Sequence, residues 1–196
     1  MRKILACIAM LMLCGCSVLG SSPKTHFYTL DAVTAPNASG VAARLAHPVT
    51  VAAVHIPPSL DRRAMVVHSD ANSVAISGTD RWTGPLGPMA RRVLSEDLAA
   101  RLSEASVILP DAPAPPDTRR IVVTVLRFGP AAGGDVVLDA NWSVVGTAGG
   151  APLLRRDVQF REHRAARDGN AIAAAMSRLL ARLAEQMAGV LISTQN

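Results

Sequence analysis

Cysteine is confined to the start of the chain: Cys7, Cys14 and Cys16 are the only three, and no thiol follows from Ser17 to Asn196. Whatever folds beyond Cys16 therefore holds neither a disulfide nor a thiolate metal site. Aromatic residues are as sparse. Phe27, Tyr28, Trp82, Phe128, Trp142 and Phe160 make up 3% of the sequence and are widely spaced. A stacking surface for nucleic acid needs aromatics interleaved with a concentrated basic stripe, so no nucleic-acid partner is expected. Lysine is nearly missing, with Lys3 and Lys24 alone, and the positive charge sits on scattered arginine pairs such as Arg62-Arg63, Arg91-Arg92, Arg119-Arg120 and Arg155-Arg156. These read as solvated faces and strand ends. Motifs of chemistry are missing too: no GxSxG elbow, no P-loop, no GxGxxG and no histidine pair at helical metal spacing. No catalytic and no metal residues are assigned. The nearest arrangement to a site is His55 and His68 on adjacent strands, with a carboxylate such as Asp61 in the turn between them.

What is present begins with a leader. Arg2-Lys3 form a positive n-region, and Ile4 to Leu13 form an apolar run too short to span a bilayer as a helix. Leu13-Cys14-Gly15-Cys16 follows and resembles the bacterial lipobox, with Cys14 off-type at the small position. Cleavage is expected between Gly15 and Cys16. Residues 1–15 then leave as a signal peptide, and Cys16 carries S-diacylglycerol and an N-acyl chain, the only non-protein group expected. Two or three acyl chains are enough for stable anchoring. Losing Arg2 and Lys3 lowers the formal charge from +5 to +3. Ser17, rather than Asp, after Cys16 matches the default for sorting to the outer membrane of Gram-negative bacteria, with the domain facing the periplasm.

Residues 16–24 read as a lipidated, Ser/Gly-rich tether, and residues 25–193 as one domain, since the remaining length suits a single core. Phe27-Tyr28-Thr29-Leu30 predicts a short strand. Val49 to Ile56, with Val49, Val51, Ala53 and His55 on one face, predicts another, stopped by Pro57-Pro58. Ala64–His68 and Ser73–Ser77 predict a hairpin. Gly84-Pro85 opens a helix carrying Leu86, Met89, Ala90, Val93, Leu94, Leu98 and Leu102, and a proline-rich loop runs from Asp111 to Thr118. Ile121–Phe128, Val136–Val145 and Pro152–His163 predict an antiparallel meander. Asp168 is placed to cap a last helix with an apolar stripe from Ile172 to Leu191. The expected fold is α+β: a two-layer sandwich, mostly antiparallel, with two long helices on one face of the sheet.

Taken in order, several of these pieces resemble the PqiC (YmbA) family of ABC-type transport auxiliary lipoproteins, from Cys16 to about Leu191. They are Phe27-Tyr28-Thr29-Leu30; the strand from Val49 running into Ile56-Pro57-Pro58-Ser59-Leu60-Asp61-Arg62; Arg81-Trp82 followed by Pro85-Leu86; Val122, Thr124, Leu126 and Phe128; and Leu138-Asp139-Ala140-Asn141-Trp142. The chain departs from the family pattern at Gly84, where an acidic residue is common, and at His68, where Arg is common. The resemblance implies a non-enzymatic, outer-membrane lipoprotein that supports envelope integrity. Its partners would be an MCE-domain bridging protein and its inner-membrane permease, outer-membrane lipid, and further copies of itself as a homo-oligomer. Other functions open to such a chain are a stand-alone structural or assembly lipoprotein and a periplasmic hydrolase. The residues singled out are Phe27, Tyr28, Pro57, Leu60, Asp61, Arg62, Trp82, Pro85 and Trp142. Phe27, Tyr28 and Trp82 have two readings, core packing or partner contact, and Asp61-Arg62 reads as a turn with a local ion pair.

Overall fold

A computed structural model describes residues 23–33, 43–70, 72–147 and 149–194; the leader, Gly15 and Cys16 lie outside the described residues. In chain order the elements are β1 (His26–Tyr28), β2 (Val49–His55), β3 (Ala64–Asp70), β4 (Ser73–Trp82), α1 (Leu86–Ala99), a 3-10 turn (Glu104–Ser106), β5 (Val107–Ile108), β6 (Arg119–Pro130), β7 (Asp135–Val145), β8 (Leu154–His163) and α2 (Gly169–Ser193). The class is α+β as expected, but the strands form two sheets rather than one. A three-stranded sheet runs β1-β4-β3, and a five-stranded sheet runs β5-β2-β6-β7-β8. Pro57-Pro58 explain the division. The turn they open, in which the Pro57 carbonyl accepts from the Leu60 (2.8 Å) and Asp61 (3.0 Å) N–H groups, redirects the chain away from β2 instead of back alongside it.

Most of the ladder is antiparallel, through the β3-β4 hairpin and the β6-β7-β8 meander. Three pairings are parallel: β1 with β4, and β2 with both β5 and β6. Parallel neighbours need a long crossover. Between β2 and β5 that crossover is the hairpin plus α1. The single-face alternation expected for β2 holds only as far as Val51, because a bulge between Val51 and Ala53 shifts the register. Ala53 and His55 therefore pair with Val122 and Thr124 on the outer face. At the bulge the Val51 carbonyl is taken by the Arg91 Nε–H at 2.8 Å, so this arginine is more than a solvated charge.

Both helices cover the same side of the five-stranded sheet. Leu86, Ala90, Val93, Leu94 and Leu98 of α1 and Ile172, Met176, Leu179, Leu183 and Met187 of α2 are buried against the inward residues of β2, β6 and β7. Trp142, at the centre of β7, is fully buried. The other face of the sheet is polar, with Asn141 opposite Asp157, Ser143 opposite Arg155, and an Arg127–Asp139 ion pair. Asp168 caps α2, its carboxylate accepting the Ala171 N–H at 2.8 Å.

Candidate functional site

Most of the residues singled out in the sequence meet at one end of the domain, where the three-stranded sheet joins the amino ends of both helices. Tyr28 is the register partner of Trp82 across the parallel β1-β4 pair. Trp82 is buried, and Leu60, Met65, Leu86, Phe128, Ile172 and Met176 surround a void of about 10 Å³ beside it. That is room for about one water, not for a ligand. The Tyr28 ring lies close against the start of α2: a Cβ on Gly169 would fall 2.5 Å from two ring carbons. Its hydroxyl donates to Asp80 Oδ1 (3.3 Å), and Asp80 in turn accepts from the Ser77 hydroxyl at 3.0 Å. Burial, then the Asp80 carboxylate, raises the phenol's pKa.

Pro85 precedes α1 and has no side chain able to cap it. Asp61 does this work from the β2-β3 connection, its Oδ1 accepting the Gly87 N–H at 3.3 Å. Gly87 is also where α1 comes closest to β2, since a Cβ there would sit 3.2 Å from the Val54 carbonyl oxygen. The expected local pair of Asp61 with Arg62 is thus replaced by a tertiary helix cap, because the turn aims the carboxylate at α1. Arg62 is exposed, and its N–H donates to the Leu60 carbonyl at 2.8 Å. Phe27 departs from the core reading. Next to core-facing Tyr28 on a strand, it points the opposite way and is 61% exposed. Trp142 stands apart from this joint, within the main core.

Residues 29–33, following β1, run over the groove between the helices as a strap. The Leu30 carbonyl accepts from Arg92 Nη2 (2.7 Å), the Asp31 N–H donates to Ser177 Oγ (3.2 Å), and the Val33 N–H donates to Asp97 Oδ1 (3.0 Å). Asp97 is completely buried, and its Oδ2 has no partner. Burial pushes its pKa up to about 6, against the opposing pull of the Val33 N–H and the Arg101 guanidinium 3.4 Å away. Sequence reasoning missed this residue. The available signal was its position: Asp97 falls on the Val93 and Ala90 stripe of α1, where an apolar residue is expected.

The histidines do not converge. His55 is exposed at the end of β2, and His68 belongs to β3 in the other sheet, so the adjacent-strand arrangement with Asp61 does not form. Among the described residues there is no group of three or more His, Cys, Asp or Glu placed to hold a metal ion, and no helix long and apolar enough to cross a membrane. Surface clefts occur between α1 and the proline-rich loop (about 340 Å³, with Arg91, Leu109 and Asp111) and between α2 and β8 (about 180 Å³, with Arg178, Arg182 and Glu162). Each is crossed by an internal ion pair, Arg91–Asp111 at 3.4 Å and Arg178–Glu162 at 2.7 Å. The described polar groups fasten one segment to another rather than converging on a reacting centre.

A family model described as the ABC-type transport auxiliary lipoprotein component matches residues 28–188. No curated protein matches the chain. Among solved structures, the fold is similar to that of an uncharacterised protein, with a TM-score of 0.72 and 18% identity over 86% of this chain and 99% of that one. It is also similar to that of a Xanthomonas campestris protein of the DUF330 family, with a TM-score of 0.68 and 15% identity over 87% of this chain and 97% of the other. At these identities the likeness concerns the fold alone.

Proposed function

We propose, from the premise that this chain belongs to the ABC-type transport auxiliary lipoprotein family, that it is the outer-membrane lipoprotein of an MCE-type lipid transport system. In this reading it faces the periplasm and docks the bridging MCE-domain protein, whose permease lies in the inner membrane. The family match over residues 28–188 is the observation that carries the reading. The Leu13-Cys14-Gly15-Cys16 lipobox supports it, since an acylated Cys16 supplies the attachment for a domain whose described helices are not membrane spans. A transport auxiliary role also points away from catalysis. It accords with polar groups that tie β1, the strap and the helices together.

Two measurements test this reading. Affinity capture of the detergent-solubilised lipoprotein from native membranes recovers an MCE-domain protein together with its permease; capture that yields neither overturns the transport role. Replacement Cys16→Ser moves the domain from the membrane fraction to the soluble fraction, or leaves it as an uncleaved precursor. A mature, membrane-bound Cys16→Ser protein contradicts the anchor.

A further inference from the structure

The three-stranded sheet turns one face to the core, and no described residue covers the other. Met65 is 2% exposed, so its neighbours Ala64 and Val66 turn outward. Their register partners are Arg81 and Ile76, with Ser77–Asp80 of β4 bulging out between the two pairs, and Arg81 is paired on its other side with Phe27. Val74, two residues before Ile76, completes the set. Phe27 (61%), Ile76 (51%) and Val74 (50%) are all well exposed. On the opposite face the same strands present Tyr28 and Trp82 to the helices. Positive charge rims the outward face: Arg81 within it, Arg62 and Arg63 just before β3, and Lys24 just before β1, all exposed. Two carboxylates near these arginines are engaged, Asp80 by Tyr28 and His26, and Asp61 by Gly87, while Asp70 lies at the far end of the hairpin, opposite Ser73.

This sheet is also the one the anchor leads into. Nine residues lie between Cys16 and His26, the first residue of β1, a reach of about 33 Å if fully extended. An exposed patch with one aromatic and two aliphatic side chains, ringed by arginines and held that close to lipid, has the composition of an interfacial membrane contact. We infer that the outward face of the β1-β4-β3 sheet lies on the membrane surface, with Phe27, Val74 and Ile76 entering the headgroup region and Arg62, Arg63 and Arg81 meeting lipid phosphates. The inference rests on the lipoprotein reading of Cys16 and adds an orientation to it. The helix carboxyl ends and Leu153, in the β7-β8 connection, then point away from the bilayer.

Acylated Cys16 has no free thiol, so a single introduced cysteine can be labelled selectively. The lipidated protein, carrying a polarity-sensitive fluorophore at Ile76→Cys or Val74→Cys, is reconstituted into phosphatidylethanolamine–phosphatidylglycerol vesicles containing lipids brominated near the headgroup. Leu153→Cys, 60% exposed at the far end, serves as the reference. The expected result is loss of about half the fluorescence at positions 76 and 74, the depth of an interfacial side chain, and none at 153. Equal quenching at all three sites, or none at 74 and 76 while the protein floats with the vesicles, overturns the orientation but leaves the anchor intact. Failure to float refutes the anchor instead. Shielding of positions 74 and 76 in detergent that grows with protein concentration assigns the face to a second copy of the chain and likewise overturns the proposal.

Discussion

Replacing Asp97 with asparagine isolates the electrostatic cost of the strap. The carboxyl is completely buried and its pKa rises from 3.8 to about 6. A rise of about two units corresponds to about 3 kcal/mol between the protonated and ionised forms. Because the folded pKa is the higher one, the folded protein retains a proton that the unfolded chain has already released between about pH 4 and pH 6. Stability contributed by this residue therefore falls as pH rises through that window, and the full penalty is present above it. The asparagine side chain cannot ionise, yet its amide oxygen still accepts the Val33 N–H. Arg101 keeps its 2.8 Å bond to the main-chain carbonyl at this position. Whatever offset separates the two proteins at about pH 4, Asp97→Asn gains about 3 kcal/mol on the parent by about pH 7.5, a relative rise in Tm of about 6–12 °C for a domain of this size. Thermal unfolding of the detergent-solubilised proteins, followed by circular dichroism across that range, measures it. Curves that run parallel from about pH 4 to about pH 7.5 would show that Asp97 is ordinarily ionised and would refute the reasoning.

Two further substitutions probe the joint between the sheets. Gly169→Ala drives a methyl group into the Tyr28 ring and lowers stability by about 1–3 kcal/mol, despite alanine's better helix propensity. Tyr28→Ala in the same chain relieves the clash, so the double variant is more stable than the sum of the single effects; simple additivity in thermal unfolding contradicts the packing described. Asp61→Ala leaves the Gly87 N–H uncapped and costs about 1 kcal/mol. A denaturation midpoint unchanged by that substitution would mean the turn is held by its backbone bonds alone.

The helices were the most legible part of the chain. Each carries a long apolar stripe, and Asp168 marks the start of α2 with the residue type that position requires. The hairpin and the β6-β7-β8 meander were legible for the same reason, because period-two patterning and glycine turns are local signals. Division into two sheets was not, since nothing in Ile56–Arg63 states which neighbour the next strand will choose; the Pro57 turn decides that in three dimensions. β5, only two residues long, exists because β2 offers it an edge. The β2 bulge reverses the outlook of Ala53 and His55 through one extra residue, which alternation alone cannot show. In the candidate site, the sequence pointed to Tyr28, Trp82, Pro85 and Asp61 without revealing that they meet. Of the two readings open for Phe27, core packing falls away, because its neighbour Tyr28 takes the core. Asp97 was visible only as an irregularity, a carboxylate on an apolar stripe.

The parallel pairing of β1 with β4 has a mechanical consequence. Tension on an acylated amino terminus enters the domain at β1, which its parallel ladder to β4 holds in place, His26 beside Asp80 and Tyr28 beside Trp82. Beyond Tyr28 the same force line passes to the strap, where Leu30, Asp31 and Val33 are bolted to both helices through Arg92, Ser177 and Asp97. In the role proposed above, the domain is thus gripped by both of its helices close to where the tether enters.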